Sequence, residues 1–168
     1  MMSYLIDSKK ECLIINNVDF KMNTIFEISA FTILWNMFER EKCNCRCTDY
    51  KLKCISQANV IDLNKLNTFA LALKNRASLV ADNDIEDYVR NYLVPPKAVK
   101  KNIIRDNEIK EEIIKFIKSD GKKFLLGGLL AIKRLRNNIF HGLKEYNKLD
   151  DQIELIRSVN NVLKELVK

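Results

Sequence analysis

The sequence predicts an all-α protein, an up-and-down bundle of four main helices with short additional helices. Apolar residues recur every three to four positions along several stretches, which is the spacing of one face of a helix. Glycine and proline, which interrupt helices, are scarce, with four and two residues among 168. The chain contains no internal repeat and no Gly-rich phosphate loop. Its length suits one domain with one core, so we expect a single helical domain over 1–168.

Composition narrows the class of protein further. The longest apolar run, Phe124–Ile132, is about half the length of a membrane span. Lys9, Lys10 and Glu11 interrupt the apolar residues near the start, so we expect no signal peptide. Five cysteines are an odd number without secretory context, which favours a reducing cytoplasm.

The first elements of the chain differ in how clearly they are predicted. Residues 1–21 stay open, because Glu11–Asn16 fits either a short strand or a helical turn. Met22–Lys42 is predicted as a long helix, with Trp35 and Glu39 beside its inward stripe. That stripe consists of Phe26, Ala30, Ile33, Leu34, Met37 and Phe38.

Four cysteines follow within twelve residues, at Cys43, Cys45, Cys47 and Cys54. Four thiolates form a complete tetrahedral zinc set, so a zinc site is one interpretation. The C-x-C-x-C-x6-C spacing differs from the usual paired C-x2-C knuckles, however. We therefore favour reduced cysteines and expect neither a metal nor another cofactor.

The middle of the chain carries two short predicted helices and one long one. Asp49–Ser56 is the first short helix. A second begins at Asn83 or Asp84 as its N-cap and runs to Leu93, before Pro95-Pro96. Between them lies the long helix Asp62–Ala81, with Leu66, Phe69, Ala70, Leu73 and Ala77 inward.

Two further helices flank the basic part of the chain. After a basic connection over 97–106, Asn107–Lys118 is predicted as a helix that ends at Ser119-Asp120-Gly121. Asp150 is the predicted N-cap of the last helix, Asp151–Val167. The inward residues are Ile109, Ile113, Ile114 and Ile117 in the former and Ile153, Ile156, Asn160, Leu163, Leu166 and Val167 in the latter.

The segment Lys133–Lys148 concentrates the charge of the chain. It holds five Lys or Arg and one Glu, which is +4 of the net +7, together with the only histidine, His141. Histidine is the side chain whose proton transfer suits near-neutral pH. We infer from their charge that Lys133, Arg134 and Lys144 contact the phosphate backbone of a nucleic acid.

The helix that leads into this segment has two distinct faces. Arg134, Asn137 and His141 fall on one helical arc, whereas Arg136 points into the apolar arc. A half-buried guanidinium needs an anion, which is either a carboxylate of its own chain or a bound phosphate. The apolar arc consists of Leu125, Leu129, Ile132, Leu135 and Ile139.

Gly127 and Gly128 lie inside this helix, where each costs about 1 kcal/mol relative to alanine. Paired glycines are tolerated where another backbone packs closely. A dimer seam is one such place.

The string Arg136-Asn137-Asn138-Ile139-Phe140-His141-Gly142 resembles the signature of the HEPN superfamily, R-x(4–6)-H with a polar residue after the arginine. The resemblance covers about ten residues and is nearest to stand-alone bacterial HEPN proteins. It implies a helical bundle in which His141 is the general acid and base and Arg136 clamps the phosphate. Asn137 takes the polar position that orients the pair.

The same resemblance implies a metal-independent endoribonuclease that acts as a homodimer with a composite active site. Expected substrates are single-stranded RNA or tRNA loops, cleaved to a 2′,3′-cyclic phosphate. Such proteins are toxins or phage-defence effectors, held by an antitoxin such as a minimal nucleotidyltransferase. Some carry a tyrosine two residues after the histidine, where this chain has Leu143, so silencing through that tyrosine is not expected.

Two alternatives remain open at this point. One is a catalytically inactive HEPN-like helical module that binds RNA or a protein. The other is a plain helical interaction protein in which Arg136 forms a salt bridge within its own chain.

Overall fold

The computed structural model describes residues 4–7, 11–15, 18–58, 61–95, 103–121, 124–140 and 149–168. A π-helical segment spans Tyr88–Leu93, and a 3-10 turn spans Asp150–Gln152. The α-helices are α1 (Met22–Cys43), α2 (Asp49–Ala58), α3 (Leu63–Val80), α4 (Ile85–Asp87), α5 (Ile103–Lys118), α6 (Leu125–Phe140) and α7 (Ile153–Leu166).

This architecture confirms the helical bundle. Five of the described helices, α1, α3, α5, α6 and α7, have fourteen residues or more, where four main helices were expected. Helix α5 packs against α6, and α7 packs against both α1 and α3. Helix α2 packs against α6. The buried apolar side chains of all these helices belong to one hydrophobic core.

A small sheet precedes the bundle and settles the open part of the N-terminal prediction. Its strands are β1 (Tyr4–Asp7), β2 (Cys12–Ile15) and β3 (Val18–Lys21), paired antiparallel in that order. Glu11–Asn16 thus contains a strand and not a helical turn. Strand β3 leads without a break into α1.

Helices α3 and α4 follow the prediction closely. Asp62 caps α3, its side chain accepting a hydrogen bond from Asn64 N at 2.9 Å. Asp84 caps α4 by accepting from the backbone N–H groups of Glu86 and Asp87 at 2.8 and 2.9 Å. The five residues of α3 predicted to face inward are all buried: Leu66, Phe69, Ala70, Leu73 and Ala77.

Helix α5 begins at Ile103, four residues before the predicted start, so part of the predicted basic connection is helical. It ends as expected, because Gly121 has a φ of +74° and donates from its N–H to Phe116 O at 3.0 Å. The predicted inward residues Ile109, Ile113, Ile114 and Ile117 are all buried.

The inward face predicted for α1 is wrong in part. Phe26 and Ile33 are 67% and 61% exposed, whereas Trp35, placed beside the stripe, is 3% exposed. The buried residues of α1 include Phe31, Trp35 and Phe38, of which the prediction contained Phe38. Apolar side chains occur all round this helix, so two stripes satisfy the helical spacing equally well.

The predicted cap of the last helix is also corrected. Helix α7 has Gln152 at its N-cap position, without a side-chain cap. Asp150 instead serves the start of α1, where its Oδ1 atom accepts from the Thr24 hydroxyl and, at 3.4 Å, from Lys21 N. A carboxylate there also suits the positive end of the α1 dipole.

Among the described residues, no helix is long and apolar enough to cross a membrane.

Candidate functional site

The N-terminal half of α6 is fixed by close packing against α5. A Cβ atom at Gly127 would lie 2.1 Å from Glu112 O, and one at Gly128 would lie 3.1 Å from the Phe116 ring. The two glycines therefore allow close approach between helices of one chain. Because this packing already accounts for them, they give no support to a dimer seam on α6.

The apolar arc of α6 packs as predicted. Leu129, Ile132 and Leu135 are buried, and Leu125 and Ile139 pack against the same core. Asn138 Nδ2 also donates to Leu93 O at 3.1 Å and so ties the last turns of α6 to the end of the π-helical segment. The sequence did not predict this contact, because its two residues are 45 positions apart.

Lys133, predicted to contact RNA, is bound to a carboxylate of its own chain. Its Nζ atom lies 2.8 Å from Asp49 Oδ1, at the first turn of α2. Arg105 of α5 donates to the other oxygen of Asp49, from Nε at 2.9 Å and Nη2 at 2.6 Å. Two cations share one carboxylate, so this cluster keeps one net positive charge.

The pKa of the Asp49 carboxyl reflects these neighbours. Burial raises it, but the hydrogen bonds and charges of Lys133 and Arg105 outweigh burial, so the pKa lies below its usual value. The carboxylate is therefore ionised near neutral pH and holds α2, α5 and α6 together.

Arg134, the second cation predicted to contact RNA, also has an acidic partner. Its Nη2 atom lies 3.4 Å from Asp106 Oδ1 on α5, and both side chains are about one fifth exposed, at 18% and 19%. A phosphate that approached Arg134 would compete with this carboxylate.

Arg136 and Asn137, two of the three predicted catalytic residues, contact each other. Arg136 Nη1 donates to Asn137 Oδ1 at 3.3 Å, and both side chains are half-buried. Asn137 was expected to orient Arg136 and His141, and the described contact of its amide oxygen is with the guanidinium of Arg136. The third catalytic residue, His141, and the predicted RNA contact Lys144 lie outside the described residues.

The cysteine segment differs from the expectation of reduced thiols. Cys43 and Cys47 are joined as a disulfide, with Cα atoms 4.9 Å apart, whereas Cys45 and Cys54 are exposed free thiols. Cys47 N also donates to Glu39 Oε1 at 3.2 Å, and Trp35 Nε1 donates to the other oxygen of Glu39 at 3.1 Å. Within the described ranges, no three His, Cys, Asp or Glu side chains lie close enough together to hold a metal ion.

Comparison with known proteins finds no matching family model, no similar curated protein and no similar solved structure.

Proposed function

We propose that this chain is a metal-independent endoribonuclease of the HEPN type, active as a homodimer in the cytoplasm. The observation that carries the proposal is the contact between Arg136 and Asn137. It joins a phosphate-binding group to a polar side chain on the half-buried final turns of α6, directly before the only histidine of the chain.

The roles in the reaction follow from the chemistry of these groups. A 2′-oxygen of RNA attacks the adjacent phosphorus as its proton is removed, and the bond to the 5′-oxygen breaks as that oxygen is protonated. The products are a 2′,3′-cyclic phosphate and a 5′-hydroxyl. His141 serves as base and acid, and the planar fork of Arg136 binds the phosphoryl oxygens, where negative charge accumulates.

Two histidines suit this reaction better than one. A single imidazole does not easily take one proton and deliver another at a different oxygen within the same turnover. A two-fold dimer brings His141 and Arg136 into one cleft twice, so one histidine acts as base and the other as acid. Asn137 holds the guanidinium plane in place while the phosphate binds.

Lys133, Arg134 and Lys144 are proposed to attract the RNA backbone. The carboxylates of Asp49 and Asp106 compensate much of the charge of Lys133 and Arg134, so the contribution of each to affinity should be small.

The test is RNA cleavage by the purified chain in EDTA, with single-stranded RNA and tRNA as substrates and analysis of the product ends. His141→Ala and Arg136→Lys should each abolish cleavage, since lysine keeps the charge but loses the two-pronged geometry. Arg90→Lys, which changes an exposed ion-paired arginine on the π-helical segment, is the matched control and should cleave normally. Cleavage that survives His141→Ala, or that requires a divalent ion, would contradict the proposal.

The second candidate is a HEPN-like module that binds RNA or a protein without cleaving. The pairing of Lys133 and Arg134 with carboxylates favours the protein-binding form of this module, because these cations then have a structural role and contribute little to RNA binding. A chain that binds RNA in the same experiment but leaves it intact would establish this function instead.

A role as a toxin or phage-defence effector extends the first proposal. Expression of the wild-type chain should then arrest bacterial growth, and the His141→Ala variant should not. Co-expression of an antitoxin, for which a minimal nucleotidyltransferase is our candidate, should restore growth.

A further inference from the structure

The side of α1 that faces away from α7 is apolar and exposed. We call it the outer face of α1 and define it by Phe26, Ser29, Ala30, Ile33 and Met37. Phe26 and Ile33 are 67% and 61% exposed, and Ala30 and Met37 are half-buried. Large apolar side chains along one exposed helical stripe are typical of an interaction surface.

The outer face is also free of charged side chains. Charged residues make up 30% of the chain, so about five would be expected in the seventeen residues of 22–38, yet Glu27 is the only one. Its carboxylate is bound by Arg157 and Asn160 of α7 and does not belong to the outer face. Depletion of charge marks the centre of a protein–protein interface rather than a solvated helix.

We propose that the outer face of α1 is the surface through which two copies of this chain associate. Phe26 and Ile33 are seven residues apart and lie on one stripe, with the small residues Ser29 and Ala30 midway between them. If two α1 helices pack antiparallel about a two-fold axis at 29/30, Phe26 of each copy meets Ile33 of the other. The small residues let the helices approach at the axis.

A second copy fits this face better than a charged partner does. The face offers no charge to attract RNA or an acidic protein, although the chain as a whole carries +7. Two chains of equal charge repel, so they associate most favourably where neither presents a charge.

The position of α1 connects this surface to the proposed site. The Thr24 hydroxyl and Lys21 N bind Asp150, which lies just after 141–148, the segment that contains His141. In the antiparallel arrangement, the Thr24 residues of the two copies, each bound to Asp150 of its own chain, lie about 17 Å apart along the helix axis. Any contribution of this interface to a composite active site rests on the proposed function, whereas the interface itself does not.

Sedimentation tests the interface. The wild-type chain should sediment at twice its mass of 19.6 kDa at micromolar concentration. Phe26→Glu and Ile33→Glu should each weaken association at least about 30-fold, since both place a charge in the centre of the interface twice. Leu79→Glu is the matched control, because Leu79 is a 70% exposed leucine on α3, and it should stay dimeric. Circular dichroism checks that all variants fold.

Cross-linking tests the register independently. In a background with the exposed Cys45 and Cys54 replaced by serine, Ser29→Cys should be joined to its second copy by a short bismaleimide. In the proposed dimer, position 29 of one chain lies about 1.5 Å along the helix axis from position 29 of the other. Asn36→Cys is the exposed control: its two positions lie about 20 Å apart along the axis and should not be cross-linked.

A monomeric wild-type chain would overturn the proposal and leave the outer face to a different polypeptide. A dimer that tolerates both glutamate substitutions, or that cross-links through Asn36→Cys alone, would also overturn it. If the glutamate variants dissociate as expected but the wild-type dimer does not cleave RNA, the interface is supported and only the proposed ribonuclease activity is contradicted.

Discussion

Helices α1 and α6 are both rich in apolar residues, yet the fold uses them in opposite ways. Residues 127–132 of α6 are buried all round, and its glycines serve the packing of α5. Helix α1 buries one stripe and leaves a second exposed. Apolar content alone therefore does not locate an interface. We propose instead that an interface lies where exposed apolar side chains share one helical face without charge, as Phe26 and Ile33 do on α1.

The largest effect should distinguish the two sides of α1. Phe38 is fully buried, so Phe38→Ala should lower the free energy of unfolding by about 3–5 kcal/mol. Phe26→Ala, on the outer face, should change the stability of the protomer by about 0.5 kcal/mol or less. Urea unfolding of both variants at low protein concentration measures the difference. Equal losses would mean that the exposed side of α1 is wrongly assigned.

The next effect concerns the two glycines of α6. Gly127→Ala should cost about 2–3 kcal/mol, because the new methyl group meets the backbone carbonyl of Glu112 and α5 must shift. Gly128→Ala should be nearly neutral, since the Phe116 ring needs to move only slightly and alanine gains about 1 kcal/mol of helix propensity. Thermal unfolding compares the two, and a neutral Gly127→Ala would contradict the close packing of α5 on α6.

At the end of α1, we expect a loss of stability of intermediate size. Cys43→Ser removes a disulfide that closes a short loop, and should cost about 2 kcal/mol under non-reducing conditions. Cys45→Ser changes an exposed thiol and should cost little. Unfolding with and without reductant measures both. About one zinc per chain by elemental analysis would instead make this segment a metal site.

The smallest effect is expected at Asp49, which connects α6 to α2 and α5. Its pKa is lowered in the fold, so its stabilising contribution is present above the usual carboxyl pKa of about 3.9 and is lost as the pH falls through the folded value. Asp49→Asn should cost about 1 kcal/mol at pH 7 and progressively less below pH 4. Urea unfolding of the wild-type chain and the variant at pH 7 and below pH 4 tests this. A loss of stability that grew on acidification would contradict the lowered pKa of Asp49.

The success of sequence-based prediction varied with the clarity of each pattern. In α3 the five inward residues form one stripe flanked by polar side chains, and all five are buried. In α1 a second stripe satisfied the same spacing, and only packing against α7 selected between them. Asp150 has the residue type of an N-cap, but Thr24, 126 positions earlier in the chain, uses it instead.

The candidate site shows the same limit. The sequence located the charged half of α6, and Arg136 and Asn137 are indeed in contact there. It did not indicate that Lys133 and Arg134 pair with Asp49 and Asp106, which lie 84 and 28 positions away. Partners so far apart in the chain are brought together by tertiary packing, which no local pattern encodes.

The pairing of α1 with α7 has a consequence for the nascent chain. Glu27 and Arg157, which join these helices, are 130 residues apart. A ribosome adds about 5–20 residues per second, so α1 emerges on the order of ten seconds before the helix that covers its inner side. During that interval both stripes of α1 are unprotected. Premature association between nascent chains would therefore begin at this helix.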